Sequence, residues 1–382
     1  MADVVIIGGG VGGVVAAKRL RRALGTRHRL TVIDRAAEHL FQPSLLWVAD
    51  GSRRPASLTR PLARLHRRGT SFHLGSVEEV DPVARKVHVG PAAIPYDFLL
   101  LAPGAELRAD LLPGLEQGGH NLYTIAGATG VDATLSRMKG GRVVVLVAAM
   151  PFKCPAAPYE AAMLIEARLR ARGVRSRFEV AVHTPEPLPM PVAGPAVGAA
   201  VRDMIVSRGI DYFPGHKPTA VDPVNRAIQF ESGAVAPYDL LVYIPSHAAP
   251  AFVVDSGLAP AGGWVKVDPK TLATSAERIW AVGDVTAIPL ANGKFLPKAG
   301  VFAKSQADVV ARNIAALVHG TAPAAEFTGE GACFLEMGDG RAGFASGDFY
   351  ATPDPAVQLK TPGRRWHWGK VLVERTWFPR WL

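Results

Sequence analysis

Cysteine is scarce here: 382 residues carry two, Cys154 and Cys333. So small a number excludes a disulfide scaffold, and a bond between the two would serve redox chemistry rather than stapling. Long apolar runs are also missing. The longest strictly apolar stretch, Val143 to Met150, falls far short of the ~20 residues of a membrane-spanning helix. A secretory leader is not expected, because Asp3 precedes the apolar N-terminus, glycines interrupt it and its first base is Lys18. The chain reads as cytosolic as translated, and no metal site is expected. Acid is in deficit: 33 Asp and Glu against 43 Lys and Arg leave a net charge of +10, which suits nucleic acid, an anionic membrane or plain solubility. With 48% apolar residues the chain can bury a large core, so disorder is excluded and two or three domains are expected.

Glycine, by contrast, is abundant and placed. The opening DVVIIGGGVGGVVAAKRL predicts a buried strand (Val4 to Ile7), a glycine turn and a helix of small residues. The turn has the spacing Gly8-x-Gly10-x-x-Gly13, and a second apolar strand, Leu30 to Ile33, ends in Asp34, 21 positions after Gly13. Together these form a dinucleotide-binding fingerprint. The glycines bring bare backbone to a pyrophosphate at a helix N-terminus, and Asp34 can hold a ribose hydroxyl.

An internal repeat organises the middle of the chain: VDPVARKVHVGPAAIPYDFLLLAP from Val80 and VDPVNRAIQFESGAVAPYDLLVYIP from Val221. Each predicts a strand-rich excursion and then an apolar strand returning to a sheet. The fold class is therefore α/β, with two nested Rossmann-like dinucleotide-binding domains. The first is expected over 1–105 and 261–322, the second over 106–260 with Cys154, and a small C-terminal region over 323–382 carries Cys333.

The second unit does not repeat the glycine turn. After the strand RVVVLV come Ala148 to Glu160, with bulky residues and prolines where a pyrophosphate needs bare backbone, and His183 and Thr184 end the next strand. This unit is expected to keep the fold without tight nicotinamide binding. In place of the turn stands Cys154, ahead of a helix and beside Lys153, a setting expected to lower its pKa. Glu160 either stabilises the helix dipole or takes a proton beside the thiol.

Tyr96-Asp97 through Ala102-Pro103-Gly104, and Thr274 through Gly283-Asp284, resemble motifs of the two-dinucleotide-binding-domain flavoproteins, the pyridine nucleotide-disulfide oxidoreductase superfamily. Pro103 stands where that family usually has Thr. The segments PFKCPAAPYEAAML, FLPKAGVFAKSQADVVARNI and GACFLEMGDGRAGFASGDF further resemble sulfide:quinone oxidoreductases and the related flavocytochrome c sulfide dehydrogenase flavoprotein. That resemblance implies FAD, held by Gly8, Gly10, Gly13, Asp34, Arg35, Pro43, Val77, Ala102, Gly104, Gly283, Asp284 and Lys298. Lys298 would lie near the flavin pyrimidine ring and stabilise the reduced anion. It also implies catalysis by Cys154, Cys333 and Glu160, with Cys333 as the thiol that attacks flavin C4a and Cys154 as its sulfur-carrying partner. Sulfide would be the electron donor and a membrane quinone the acceptor. Whether the sulfurs form a disulfide or a longer sulfur chain stays open, as does self-association.

Two departures from the pattern matter. No third cysteine lies near Asn121 to Gly130, so the route of sulfur release is undefined, and no cysteine near Gln42 could tether the flavin, so FAD is expected to be noncovalent. The absent export signal disfavours the periplasmic flavocytochrome. A type II NADH dehydrogenase-like enzyme shares the fold but needs a nicotinamide site, and a catalytically idle flavoprotein would not need the thiols.

Four of the seven tryptophans fall in the closing 19 residues, RRWHWGKVLVERTWFPRWL. Tryptophan interleaved with bases suits an interfacial segment on an anionic membrane, and a peripheral membrane location is expected. Trp368, Val371, Leu372 and Phe378 approximate one stripe, which Pro379 should end. Trp366, Trp368 and Lys370 are expected at the quinone mouth. Nucleic-acid binding has no motif, and Arg19, Arg21, Arg22, Arg53, Arg54, Arg64, Arg67 and Arg68 read as solvated faces.

Overall fold

In the computed structural model, which describes residues 1–382, the opening apolar run forms a strand, Asp3–Ile7 (β1), buried from Val4 onward. It turns through the glycines into the helix Val11–Leu24 (α1). Gly8 adopts φ +105°, and a Cβ on Gly13 would lie 1.7 Å from the Gly8 carbonyl oxygen, so both positions require glycine. α1 crosses to Arg29–Asp34 (β2), and Ser71–Leu74 (β3) and Phe98–Leu101 (β4) complete the parallel pairing on either side of β1. Val14, Leu20 and Leu24 of α1 pack on one sheet face. Each such fully buried side chain contributes roughly 1.5–3 kcal/mol.

The chain crosses to a second unit at Glu106–Arg108 and returns at Ser246–Ala248, and these two segments pair antiparallel. Between them Gly141–Val147 (β5) is flanked by Phe178–His183 (β6) and Leu240–Ile244 (β7), all parallel. The helix Ala157–Ala171 (α2) shares a core cluster with β5 and β6. The VDPV…PYD repeat has a common structural cause. In each copy a three-stranded antiparallel excursion ends in Tyr-Asp, and the aspartate accepts from the backbone N–H that opens the unit. Asp97 takes Asp3 N–H and Asp239 takes Arg142 N–H, each at 2.8 Å. The matched motif is the latch that returns each excursion to its sheet.

Val253 and Ala259 already pack against Val5, Ile7 and Leu99 of the first unit, ahead of the boundary expected at 260. The crossing strand at 246–248 sets the return. Ile279–Ala281 (β8) then joins β4, and Gly300–Val318 (α3) lies against α1 in the same core cluster. Glu330–Gly338 (β9), Arg341–Asp348 (β10) and Ala356–Gly363 (β11) make an antiparallel sheet leading into Arg364–Trp381 (α4).

The tail departs from its expected stripe. α4 runs through Pro379, whose missing N–H costs a single bond in the last turn while Trp377, Phe378 and Trp381 sink into the first unit's core. Val371 and Phe378 face inward at 4% and 8% exposure, whereas Trp368 and Leu372 face solvent at 61% and 62%. His39 anchors the inward face: its Nδ1–H donates to Gly9 O at 2.7 Å, and its Nε2 accepts from Trp377 Nε1 at 2.8 Å. The tail is thereby tied to the glycine turn. No helix is long and apolar enough to cross a membrane.

Candidate functional site

The glycine turn presents an uncapped helix. No side chain caps α1 at Gly10, and a Cβ built there, or on Gly104, would meet nothing within 4 Å. Free N–H groups beside open space fit the pyrophosphate of a dinucleotide. Asp34 closes β2 and accepts from Gly9 and Ala36 N–H. Ala102 and Gly104 follow β4, and Gly283, at φ +75°, and Asp284 follow β8. These residues therefore gather where the parallel strands end. Arg35 is exposed and pairs with Glu106 at 3.5 Å, Pro43 lies in a short 3₁₀ turn, and Val77 packs on the sheet's outer cluster. Lys298 is no solvated loop residue. Its Nζ donates to Asp284 O at 2.7 Å and Thr286 O at 2.9 Å and lies 3.4 Å from the Trp264 ring centroid. Burial lowers its pKa to about 8, against the opposing pull of Asp284.

Cys154 and Cys333 arrive from different elements. Cys154 sits three residues before α2 with φ +51°, a conformation rare outside glycine, and its N–H donates to Lys298 O at 2.7 Å. Cys333 lies in β9 opposite Ala345. The two thiols are free, half-buried and within each other's electrostatic reach. The expected depression of the Cys154 pKa does not occur. Burial first, then Glu160 and Cys333, push this thiol well above its ordinary value, with Lys370 and the Ala157 N–H offsetting only part. Burial and Glu160 raise Cys333 to about 11. Lys153, expected to stabilise a thiolate, places its ammonium over the Tyr123 ring at 5.2 Å, and α2 begins too late for its dipole to prevail.

Glu160 is 2% exposed and ion-paired. Its Oε1 accepts from Lys370 Nζ at 2.9 Å and from Glu336 N–H at 2.7 Å, leaving Oε2 without either bond. Gly338 permits this approach, since a Cβ there would meet Ala167 of α2 at 2.3 Å. The Lys370 pKa is pulled down by burial, yet Glu160 and Glu336 hold it above its ordinary value. Glu336 Oε2 in turn bonds His367 Nδ1 at 3.0 Å, while its Oε1 is buried without a partner. Of the residues expected at a quinone mouth, Lys370 belongs to the cysteine centre. Trp366 stacks on Phe344 at 4.5 Å, and Trp368 is exposed. Glu336 and His367 escaped sequence reasoning. Their available signals were an acidic residue amid the apolar stretch of β9 and the His367-x-x-Lys370 helical spacing.

Where the first unit ends β2 in Asp34, the second ends β6 in a cluster of rings. His183 stacks on Phe213 at 4.4 Å and on Phe230 at 5.0 Å, with His216 alongside. Burial and His216 lower the His183 pKa to about 4, so the ring is neutral. Nearby, burial raises Glu186 to about 7, and Tyr159 O–H donates to it.

Known proteins place this arrangement. Residues 2–126 match the family model "Pyridine nucleotide-disulphide oxidoreductase", and residues 130–245 match "Sulfide dehydrogenase [flavocytochrome c] flavoprotein chain, central". The chain is thus similar to oxidoreductases of the disulfide-oxidoreductase flavoprotein class. Within that class it is similar to the sulfide:quinone oxidoreductases. It is 25% identical over 370 residues to the mitochondrial sulfide:quinone oxidoreductase of Mus musculus, covering 92% of this chain and 79% of that protein. It is 27% identical over 392 residues to the sulfide-quinone reductase of Aquifex aeolicus, covering 97% and 89%. The X-ray structure of the sulfide:quinone oxidoreductase from A. aeolicus superposes with a TM-score of 0.89, covering 98% of this chain and 90% of that one.

Proposed function

We propose that this chain is an FAD-dependent enzyme that oxidises sulfide and passes two electrons to a quinone. The observation that carries the reading is the convergence of Cys154, Cys333, Glu160 and Lys370 in one buried centre beside the Lys298 loop. The bulky residues and prolines after β5, and the ring stack on His183 at the end of β6, support sulfide rather than NADH as the donor.

Hydrosulfide attacks the Cys154 sulfur of an oxidised Cys154–Cys333 pair. A sulfur–sulfur bond forms to Cys154, the bond between the cysteines breaks, and Cys333 leaves as thiolate carrying the electron pair. Lys370 offsets part of the rise in both thiol pKa values and so favours that departure. Glu160 Oε2 is the acceptor for the persulfide proton. FAD, held noncovalently by the glycine turn, Asp34 and the Gly283-Asp284 turn, supplies a two-electron acceptor that a quinone reoxidises. A second sulfide lifts the outer sulfur from Cys154, whose freed sulfur rejoins Cys333 when the pair has been oxidised.

The outward face of α4, with Trp368 and Leu372 exposed, supports peripheral attachment to a membrane where a quinone is met. Trp366 stays with the proposed quinone approach through its stack on Phe344 in β10. Anaerobic flavin spectra test the function: sulfide should bleach the bound flavin and NADH should not, and the opposite result rejects it.

A further inference from the structure

Four of the eight arginines read from sequence as solvated faces, Arg53, Arg64, Arg67 and Arg68, are gathered in one place. With Arg60 and Arg375 they converge on one cavity of 840 Å³. Glu374 is the one acidic side chain lining it, and Arg53 already engages that carboxylate at 3.0 Å. Five guanidinia are left to repel one another around empty space, an arrangement that an anion relieves.

Two of these side chains are held in place. Arg60 lies over the Phe378 ring at 4.6 Å and donates to Thr59 O at 2.6 Å, and Arg53 lies over Trp47 at 4.6 Å. The positive field reaches beyond the cavity: Lys18 on α1 is held below its ordinary pKa by burial and then by Arg68 and Arg380. None of the lining residues belongs to the glycine turn or the cysteine centre.

The cavity opens at the end of an apolar stripe. Trp368, Leu372, Arg375 and Pro379 recur at i, i+4, i+7 and i+11 along α4, and all four are exposed. Arg375 and Pro379 line the cavity, so its cationic mouth continues into the outward face of Trp368 and Leu372. We infer that the cavity binds the phosphate headgroup of an anionic phospholipid whose acyl chains lie along Trp368 and Leu372. Arginine forks match phosphate oxygens, and the neighbouring apolar stripe is what a free anion would not use. The inference rests on the membrane reading above for the place where the lipid is met.

The test is flotation of the full-length flavin-loaded protein with vesicles of phosphatidylcholine alone or doped with phosphatidylglycerol. Wild type should prefer the doped vesicles and lose that preference in high salt. Arg64→Gln with Arg67→Gln and Arg68→Gln should weaken doped-vesicle binding about a hundredfold, with phosphatidylcholine binding and activity toward a soluble quinone unchanged. Arg137→Gln with Arg177→Gln and Arg202→Gln removes equal charge from the second unit and should change little. Equal loss from both triple variants would show a diffuse field and overturn the site. Flotation without phosphatidylglycerol preference would overturn it while leaving the membrane reading intact. If no vesicle is bound, the membrane reading fails, and monomeric dihexanoyl-phosphatidylglycerol decides the cavity separately. A rise in melting temperature for wild type but not for the arginine variant upholds it. An equal rise with inorganic phosphate would assign a free-phosphate site and overturn the lipid proposal.

Discussion

Lys370 Nζ lies 2.9 Å from Glu160 Oε1, joining the C-terminal helix to the helix that follows Cys154 across 210 positions of chain. Both groups are buried, so each charge depends on the other. Lys370→Met should strand the Glu160 carboxylate and cost about 3 kcal/mol. In the Lys370→Met, Glu160→Gln double variant most of that loss should return. Urea melts on the four proteins of the cycle check this, and strict additivity would refute the coupling.

Either Cys154→Ser or Cys333→Ser should cut sulfide-dependent quinone reduction by about a thousandfold. Flavin content should stay near wild type, since neither sulfur lies in the glycine turn. Steady-state rates and flavin absorbance on the same samples separate the two effects, and retention of activity in either variant would defeat the proposed chemistry.

The raised thiol pKa values set a pH dependence. A thiol is protonated below its pKa, and Cys333 lies at about 11 with Cys154 also raised. Iodoacetamide labelling of the reduced protein should therefore be slow at neutral pH and still be climbing at pH ~10. A plateau reached by pH ~8 would show that these thiols ionise easily.

His183 titrates at about 4 in the fold, below its ordinary value, because burial and then His216 disfavour the imidazolium. A depressed pKa contributes stability above the unfolded value of ~6.5 that is lost as pH falls toward 4. His183→Phe keeps a ring between Phe213 and Phe230, so it should gain stability relative to wild type at pH ~5 more than at pH ~8. Thermal melts at the two values measure the difference, and an equal shift at both would contradict the assignment.

Lys298 is buried and charged below about pH 8. If its ammonium favours the reduced flavin anion, Lys298→Met should lower the flavin midpoint potential by roughly 30 mV or more. Anaerobic redox titration reads this directly, and an unchanged potential with normal flavin content would leave Lys298 as a structural tie between loops.

Parts of the site were legible because a residue type is tied to a local conformation. Gly8 and Gly13 announce the nucleotide turn, since no side chain fits between Gly13 and the Gly8 carbonyl. Asp97 and Asp239 announce the repeat, because each latches the same backbone N–H of its own unit. The missing second turn was visible as bulky residues after β5, although the ring stack on His183 at the end of β6 was not. The Cys154 pKa departs from its expected direction because Lys153 and the helix start counted for less than burial, the Glu160 carboxylate and Cys333.

Short-range rules were therefore enough for the α/β class, the glycine turn and the paired excursions. Glycine conformations and strand alternation operate within a few residues. Packing over long distances assigned the rest: Lys370 to Glu160, His367 to Glu336, the two faces of α4, and six arginines to one cavity. Charge and burial act through space, so a partner hundreds of residues away can outweigh the neighbour next in the chain.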